Sequence, residues 1–334
     1  MSRRRLSKRQ LERVEKIQER RRARAEARAV VALNQAETAP QHGMVVTRHG
    51  ASVAVADSTH DIHHCLLRQN IGHVCCGDRV VWLHTGEGTG VVTAVLDRHS
   101  VLARPDYSGR DKPLAANLTQ IVVVIAPDPA PTGYLVDQYL VAAETIGIRG
   151  LIAVNKAELL DEDDGAVLER SRGYEAIGYP VIHTSVQREH GINALIAHLR
   201  NETSILVGQS GVGKSSLVKA LLPDQDIQIG RLSAATGLGR HTTSAATLYF
   251  LPHGGTLIDS PGVRSFRLQT MTRYELEQGF RELRPYAGAC QFGNCAHDRE
   301  PGCAVRNAAE RDEIPKWRLD SFRHMARQIE KQTS

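Results

Sequence analysis

No apolar stretch in this 334-residue chain approaches the roughly 18 residues that a membrane-spanning helix needs. The best apolar run, residues 121–126, has the length of one buried strand. A secretory leader is also missing. The basic start is followed only by the short apolar segment 29–33, whereas an export signal needs about 7–15 apolar residues. A soluble, cytoplasmic protein with no membrane partner is therefore expected. Aromatic residues are scarce, and Trp82 is the only one between residues 43 and 103, so that stretch has little with which to stack bases. There are no internal repeats. Apolar residues at 41%, with 28 glycines besides, are near the globular average and exclude wholesale disorder.

The length suits two or three domains, each large enough for its own core. The net charge of +5 conceals an asymmetry. Residues 1–30 carry twelve Arg or Lys against four Glu, while the rest carry 30 basic and 33 acidic groups. A mildly acidic body with a basic arm points to a polyanionic partner, nucleic acid first.

Four segments separate along the chain. Residues 1–40 are the basic arm. Residues 41–104 read as short strands (43–47, 51–56, 79–83, 90–95 and 100–103) divided by turn residues, which suggests a small β-barrel; a polar linker, 104–112, follows. Strand and helix signals then alternate through 105–270, giving an α/β domain with a largely parallel sheet. The strands are expected at 120–126, 150–154, 181–184, 204–207, 246–251 and 256–258, with a helix at 134–146. Residues 271–334 read as helical and polar.

Gly208, Gln209, Ser210, Gly211, Val212, Gly213, Lys214 and Ser215 fit the phosphate-loop pattern G-x-x-x-x-G-K-[ST], between an apolar strand and a helix, with Ser216 following. Glycines let consecutive amides curl around phosphates, and the helix N-terminus adds partial positive charge. Lys214 is expected on the β- and γ-phosphates and Ser215 on Mg²⁺. Asp259, at the end of a later strand, supplies the second Mg²⁺ contact, and the Gly262 amide could sense the γ-phosphate.

Asn155, Lys156, Ala157 and Glu158 resemble the guanine-reading motif N-K-x-D. A carboxylate accepts from both guanine N1–H and N2–H₂, a pair that adenine lacks. Glu158 keeps the charge with one more methylene. Asn155 is expected on the guanine edge and against the phosphate loop, Lys156 along the base, and Thr184 and Ser185 in a small base-contacting loop. Asn155 precedes Gly208, which precedes Asp259, whereas in the usual arrangement the phosphate loop comes first and N-K-x-D comes late. The domain therefore looks circularly permuted, which chain termini close together on the surface make tolerable.

Cys290, Cys295, His297 and Cys303 cluster late. Three thiolates and one imidazole make a closed tetrahedral set, the donor set of a structural zinc. Because the segment is taken to have few large apolar residues, zinc is expected to supply much of its folding free energy. His60, His63 and His64 are assigned to a solvated or RNA-facing barrel loop, and Cys75 and Cys76 to the barrel interior.

Together these features resemble the bacterial small-ribosomal-subunit-dependent GTPases, over about residues 43–325. The resemblance implies a multidomain chain: an N-terminal β-barrel of the OB-fold, a central α/β circularly permuted P-loop GTPase domain and a C-terminal helical zinc-binding domain. It implies GTP hydrolysis stimulated by the 30S subunit, with 16S rRNA as partner, zinc and Mg²⁺ as cofactors, and a monomeric protein. Val263 follows Gly262 where many GTPases place a water-orienting Gln. The segment 236–243 lies where the first switch belongs, with Thr243 as a further Mg²⁺ ligand and His241, which the resemblance supports, as the residue orienting water. Two other readings stay open: a GTP-gated rRNA-binding module in which hydrolysis is incidental, and an ATP-using P-loop enzyme. The barrel, with four Arg against five acids over 43–103, suits shape and phosphate contacts on folded RNA better than base readout.

Overall fold

The computed structural model describes residues 39–105, 111–131, 134–160, 165–224, 226, 228, 232, 246–259 and 271–333. Residues 1–38 of the basic arm, the segment 236–243 with His241 and Thr243, and Gly262 and Val263 lie outside them. The chain divides into two compact units: one holds residues up to His99, and the other holds most of the remaining chain, with the C-terminal helices and the α/β sheet together.

In the first unit, β1 (Gln41–His49), β2 (Ser52–Ala56), β3 (Ile62–Leu67), β4 (Arg79–Gly86) and β5 (Thr89–Val95) form the barrel. Its order is β1-β2-β3-β5-β4, and β1 closes it by pairing with β4 through residues 41–44 while its later half pairs with β2. A bulge between Val45 and Thr47 lets one strand serve both neighbours. Val45, Val53, Val55, Cys65, Val74, Val80, Trp82 and Val92 fill the interior. Trp82 fits because Gly90 faces it: a Cβ there would lie 2.5 Å from the indole. Asp78, fully buried, accepts from the Cys75 amide at 2.8 Å and from Arg98 at 2.6 and 2.8 Å, pinning the turn before β4.

Two expectations for this region are corrected. His63 and His64 stand on strand β3 rather than in a loop, because the run Ile62–Leu67 pairs on both sides; only His60 lies in the preceding turn. The alternation there is masked by imidazoles, which are polar by type yet half-buried here. The fifth barrel strand is thus β3. Residues 101–105 instead form β6 (Val101–Pro105), paired with β7 (Asp111–Ala116) in a separate two-stranded sheet that takes in both ends of the expected linker; residues 106–110 lie outside the described residues.

In the second unit, β8 (Gln120–Ile125), β9 (Arg149–Val154), β10 (Val181–His183), β11 (Thr203–Val207), β12 (Thr247–Phe250) and β13 (Thr256–Asp259) are ordered β10-β9-β8-β11-β13-β12. The pairs β10/β9, β9/β8, β8/β11 and β11/β13 are parallel. Buried on both faces, these strands read as continuous apolar runs. Helices α1 (Leu135–Thr145), α2 (Gly165–Ala176), α3 (Asn193–Leu199) and α4 (Lys214–Leu221) connect them.

The C-terminal part comprises α5 (Arg273–Gln278), α6 (Arg284–Ala287), α7 (Ala304–Glu310) and α8 (Lys316–Thr333). Thr272 and Glu275 close a capping box on α5. The expectation of a core-poor segment is overturned. Leu276, Phe280, Leu283, Val305, Ile314, Leu319, Phe322 and Met325 form a continuous buried cluster, joined by Val141 of α1. Short helices, the turns between them and α8 spread these residues thinly along the sequence, and only their packing collects them.

Candidate functional site

Asn155–Glu158, Thr184 and Ser185, the phosphate loop and Asp259 lie at the carboxyl ends of parallel strands, where open α/β sheets bind ligands. The phosphate loop joins β11 to α4. Gly208, Gly211 and Gly213 have φ of 140°, 89° and 89°. A Cβ on Gly208 would collide with the Val124 carbonyl of β8, and one on Gly213 with the Asn155 amide. The helix starts at Lys214, so its first-turn amides open onto the loop. Lys214 Nζ donates to the carbonyls of Gly208 at 2.7 Å and Gln209 at 2.5 Å. Ser210, Ser215 and Ser216 are exposed, and Val212 is buried.

Asn155, 1% exposed, joins three strand ends. Its Nδ2 donates to Val212 O at 2.8 Å, and its Oδ1 accepts from Thr184 Oγ1 at 3.1 Å. The side chain that follows β9 therefore braces the loop after β11 and the residue after β10. Lys156, with φ 57°, donates to Asp128 O at 2.6 Å. The Ala157 amide donates to Thr184 O at 3.0 Å. Ser185 is buried, and its Oγ accepts from the Gln187 and Arg188 amides, so that hydroxyl shapes its turn.

Glu158 carries a decisive detail. Its Oε2 is buried and has no hydrogen-bond partner among the described residues. Such an acceptor is costly unless a ligand donates to it, and a guanine edge supplies two N–H donors. Asp259 ends β13 with its side chain exposed, beside β11, which is registered with it through Ile205 and Ile258. The Ser215 hydroxyl and the Asp259 carboxylate are hard oxygen donors suited to Mg²⁺.

The Cys/His cluster is assembled. One ligand atom from each of Cys290, Cys295, His297 and Cys303 lies within 4.8 Å of the others. Cys290 Sγ is 3.9 Å from Cys303 Sγ, and His297 Nδ1 is 3.6 and 3.3 Å from those two sulfurs. A tetrahedron with metal–S near 2.3 Å and metal–N near 2.0 Å has edges of about 3.5–3.8 Å, so the donor set fits a four-coordinate metal. His297 Nε2 meets Glu277 Oε1 at 2.7 Å, which leaves Nδ1 as the ligand atom. Arg323 donates to His297 O at 2.8 and 2.6 Å. Burial pushes the Cys295 thiol up to about 12. At Cys290 burial acts the same way, but the Val305 and Ala304 amides outweigh it and lower the pKa.

A family model described as RsgA GTPase matches residues 95–269, and full-length relatives agree with it. A small ribosomal subunit biogenesis GTPase RsgA of Azotobacter vinelandii is 46% identical over 334 residues, covering 97% of each chain.

The chain belongs to the RsgA GTPase family.

A second RsgA relative, from Chromohalobacter salexigens, is 48% identical over 339 residues, 97% of this chain and 98% of that one. Among solved structures, YjeQ from Thermotoga maritima matches with TM-score 0.73 and 32% identity over 87% of this chain and 99% of its own. YloQ, described as a circularly permuted GTPase, matches with TM-score 0.71 and 27% identity over 88% and 96%. The permuted motif order read from the sequence is therefore a property of this RsgA fold.

Two parts of the RsgA site had no signal in the sequence. Glu277, which orients His297, sits 20 residues away on α5, and an acidic residue on a polar helix is unremarkable. The segment after β8 is the other. Pro129 O and Ala130 O accept from Gln209 Nε2 at 3.1 and 2.9 Å, and Asp128 O holds Lys156. These are backbone acceptors, so no residue type marks them.

Proposed function

We propose that this chain hydrolyses GTP to GDP and phosphate as a late-acting maturation factor of the small (30S) ribosomal subunit, which stimulates the reaction. Family membership supports the activity, and the relatives' names support the setting. One observation carries the guanine reading: the buried Glu158 oxygen, which has no hydrogen-bond partner among the described residues, on the element whose Asn155 is hydrogen-bonded to the phosphate loop. Base and phosphates are then read by one connected frame.

Glu158 accepts from guanine N1–H and N2–H₂, Asn155 holds the purine edge, and Thr184 and Ser185 line the far side. The amides of residues 208–216 cradle the phosphates. Lys214 transfers its ammonium from the Gly208 and Gln209 carbonyls to the β- and γ-phosphates. Ser215, Asp259 and Thr243 would hold Mg²⁺, which would neutralise charge developing on the phosphates. His241 orients the attacking water, a task that Val263 has no polar group to perform. The Gly262 amide senses the γ-phosphate.

The metal of the Cys/His centre is zinc, a choice supported by its three thiolates and one imidazole. A closed site has no open position for substrate, so its role is structural. The basic arm contacts rRNA phosphates. The buried Trp82 leaves the barrel to read RNA by shape and backbone. The working division is arm 1–40, barrel 41–104, GTPase domain 105–270 and zinc domain 271–334, in a cytoplasmic monomer.

The test is GTP turnover with and without purified small subunits, with ATP as control. A large, GTP-specific stimulation is expected. Absent stimulation with GTP binding retained would make the chain a nucleotide-gated rRNA-binding module. Equal turnover of ATP would remove the guanine reading.

A further inference from the structure

Glycines give the phosphate loop its curvature, with positive φ at Gly208, Gly211 and Gly213. The same residues leave its backbone free to take other shapes, so contacts from outside the loop must hold it. Asn155 does this at the late end, through Val212 O. The early end rests on the connection between β8 and α1, a segment that carries no motif.

Gln209 makes that contact. Its Nε2 donates to Pro129 O at 3.1 Å and to Ala130 O at 2.9 Å. Carbonyls only accept, so the amide end that faces them is the NH₂, and both of its hydrogens are engaged there. That end of the side chain is turned to the segment and does not donate to a phosphate. Gly211 lies close to the same segment: a Cβ on it would stand 3.3 Å from the Pro129 ring.

The base-reading loop reaches the segment too. Lys156, between Asn155 and Ala157, donates from Nζ to Asp128 O at 2.6 Å. Three consecutive carbonyls, of residues 128, 129 and 130, therefore accept from both loops. The topology explains why. The segment leaves β8, which pairs with β9 on one side and β11 on the other. Those two strands lead into the base-reading loop and the phosphate loop, so the segment starts between the loops it joins. A nucleotide has a fixed span from base to phosphates, and loops already held at that span bind it without a further ordering cost.

We infer that Gln209 is a positioning residue for nucleotide binding and that residues 128–130 are a backbone bridge setting the spacing between the base-reading and phosphate loops. The inference rests on the guanine-nucleotide reading of the site. It gives a role to three residues whose contribution is made by their carbonyls.

The experiment measures GDP, GMP and ADP affinities on the full chain, by competition with a fluorescent GDP analogue. Gln209→Met keeps the length of the side chain and removes both donated hydrogen bonds. Their loss predicts GDP affinity about tenfold lower. GMP, which lacks the β-phosphate, loses less, so the GDP-to-GMP affinity ratio falls, whereas a generally loosened fold lowers both together. The preference for GDP over ADP stays, because the base contacts are untouched. Pro129→Gly, which loosens the bridge from its own side, lowers the same ratio and stands in if Gln209→Met does not fold. Lys156→Met removes the other anchor. Both anchors hold one segment, so Gln209→Met should cost about threefold less, or better, in the Lys156→Met background than in wild type. Either of the first two variants within about twofold of wild type, an unchanged GDP-to-GMP ratio, or additive losses in the double variant would overturn the inference. Wild-type protein that binds no guanine nucleotide would instead overturn the reading beneath it.

Discussion

Replacing Glu158 by Gln isolates the base-reading step. The Glu158 Oε2 is buried without a hydrogen-bond partner among the described residues, so no hydrogen bond seen there is lost from the unliganded protein, and removing a buried charge does not destabilise it. With guanine bound, the loss is large. A hydrogen bond to a charged acceptor is worth about 1.5–3 kcal/mol, or roughly 10- to 150-fold in affinity per bond. One of the two guanine donors would also face the new amide's N–H. GDP affinity should therefore fall by about 10² or more, with the melting temperature unchanged or raised. Xanthine carries a carbonyl in place of the 2-amino group. The Gln amide can accept from N1–H and donate to that carbonyl, so the variant should prefer xanthosine over guanosine diphosphate. Competition binding with GDP, XDP and ADP reads all three affinities. A variant that binds GDP as wild type does would refute the assignment of Glu158. One that loses GDP without gaining XDP would show that the carboxylate acts on something other than the base edge.

Further outcomes are expected at the nucleotide site, the metal centre and the barrel. Asn155→Ala leaves Val212 O and Thr184 Oγ1 without their partner, at about 1–3 kcal/mol each, so nucleotide affinity should drop by at least tenfold; an unchanged dissociation constant would contradict its bracing role. Cys295→Ser should abolish stoichiometric zinc, and Glu277→Gln should weaken metal retention by about 10- to 100-fold. Chelation should lower the melting temperature yet leave α5–α8 helical by far-ultraviolet circular dichroism, because an apolar cluster stands beside the metal centre; helices lost on chelation would contradict that. In the barrel, burial acts to raise the Asp57 pKa, but hydrogen bonds from His63, Thr59 and Asp61 prevail and hold it at about 2. The stabilisation is therefore full above the ordinary carboxylate value, near 3.9, and lost as pH falls through about 2. The melting-temperature gap between wild type and Asp57→Asn should be open at pH 6 and close toward pH 2; a gap independent of pH would remove Asp57 as its source.

What the chain alone determined is local and chemical. A Gly-rich turn with Lys214 and Ser215, a carboxylate three residues after Asn155, and three Cys with one His each carry their chemistry in residue type and spacing. Their order along the chain was enough to show the permutation, since order is a property of sequence. The parallel strands were legible because burial on both faces leaves an apolar run. Where polar side chains are buried, the sequence misled: His63 and His64 hide strand β3, because imidazole counts as polar until a barrel packs around it. The C-terminal core was missed for the converse reason, its apolar residues being spread thinly over short helices, the turns between them and the long α8. Only the tertiary structure decided how the parts act together. Glu277 becomes the second partner of His297, and Asp137 meets Arg318 across 181 residues of sequence. Such contacts depend on distance in space, and no period, motif or composition along the chain encodes them.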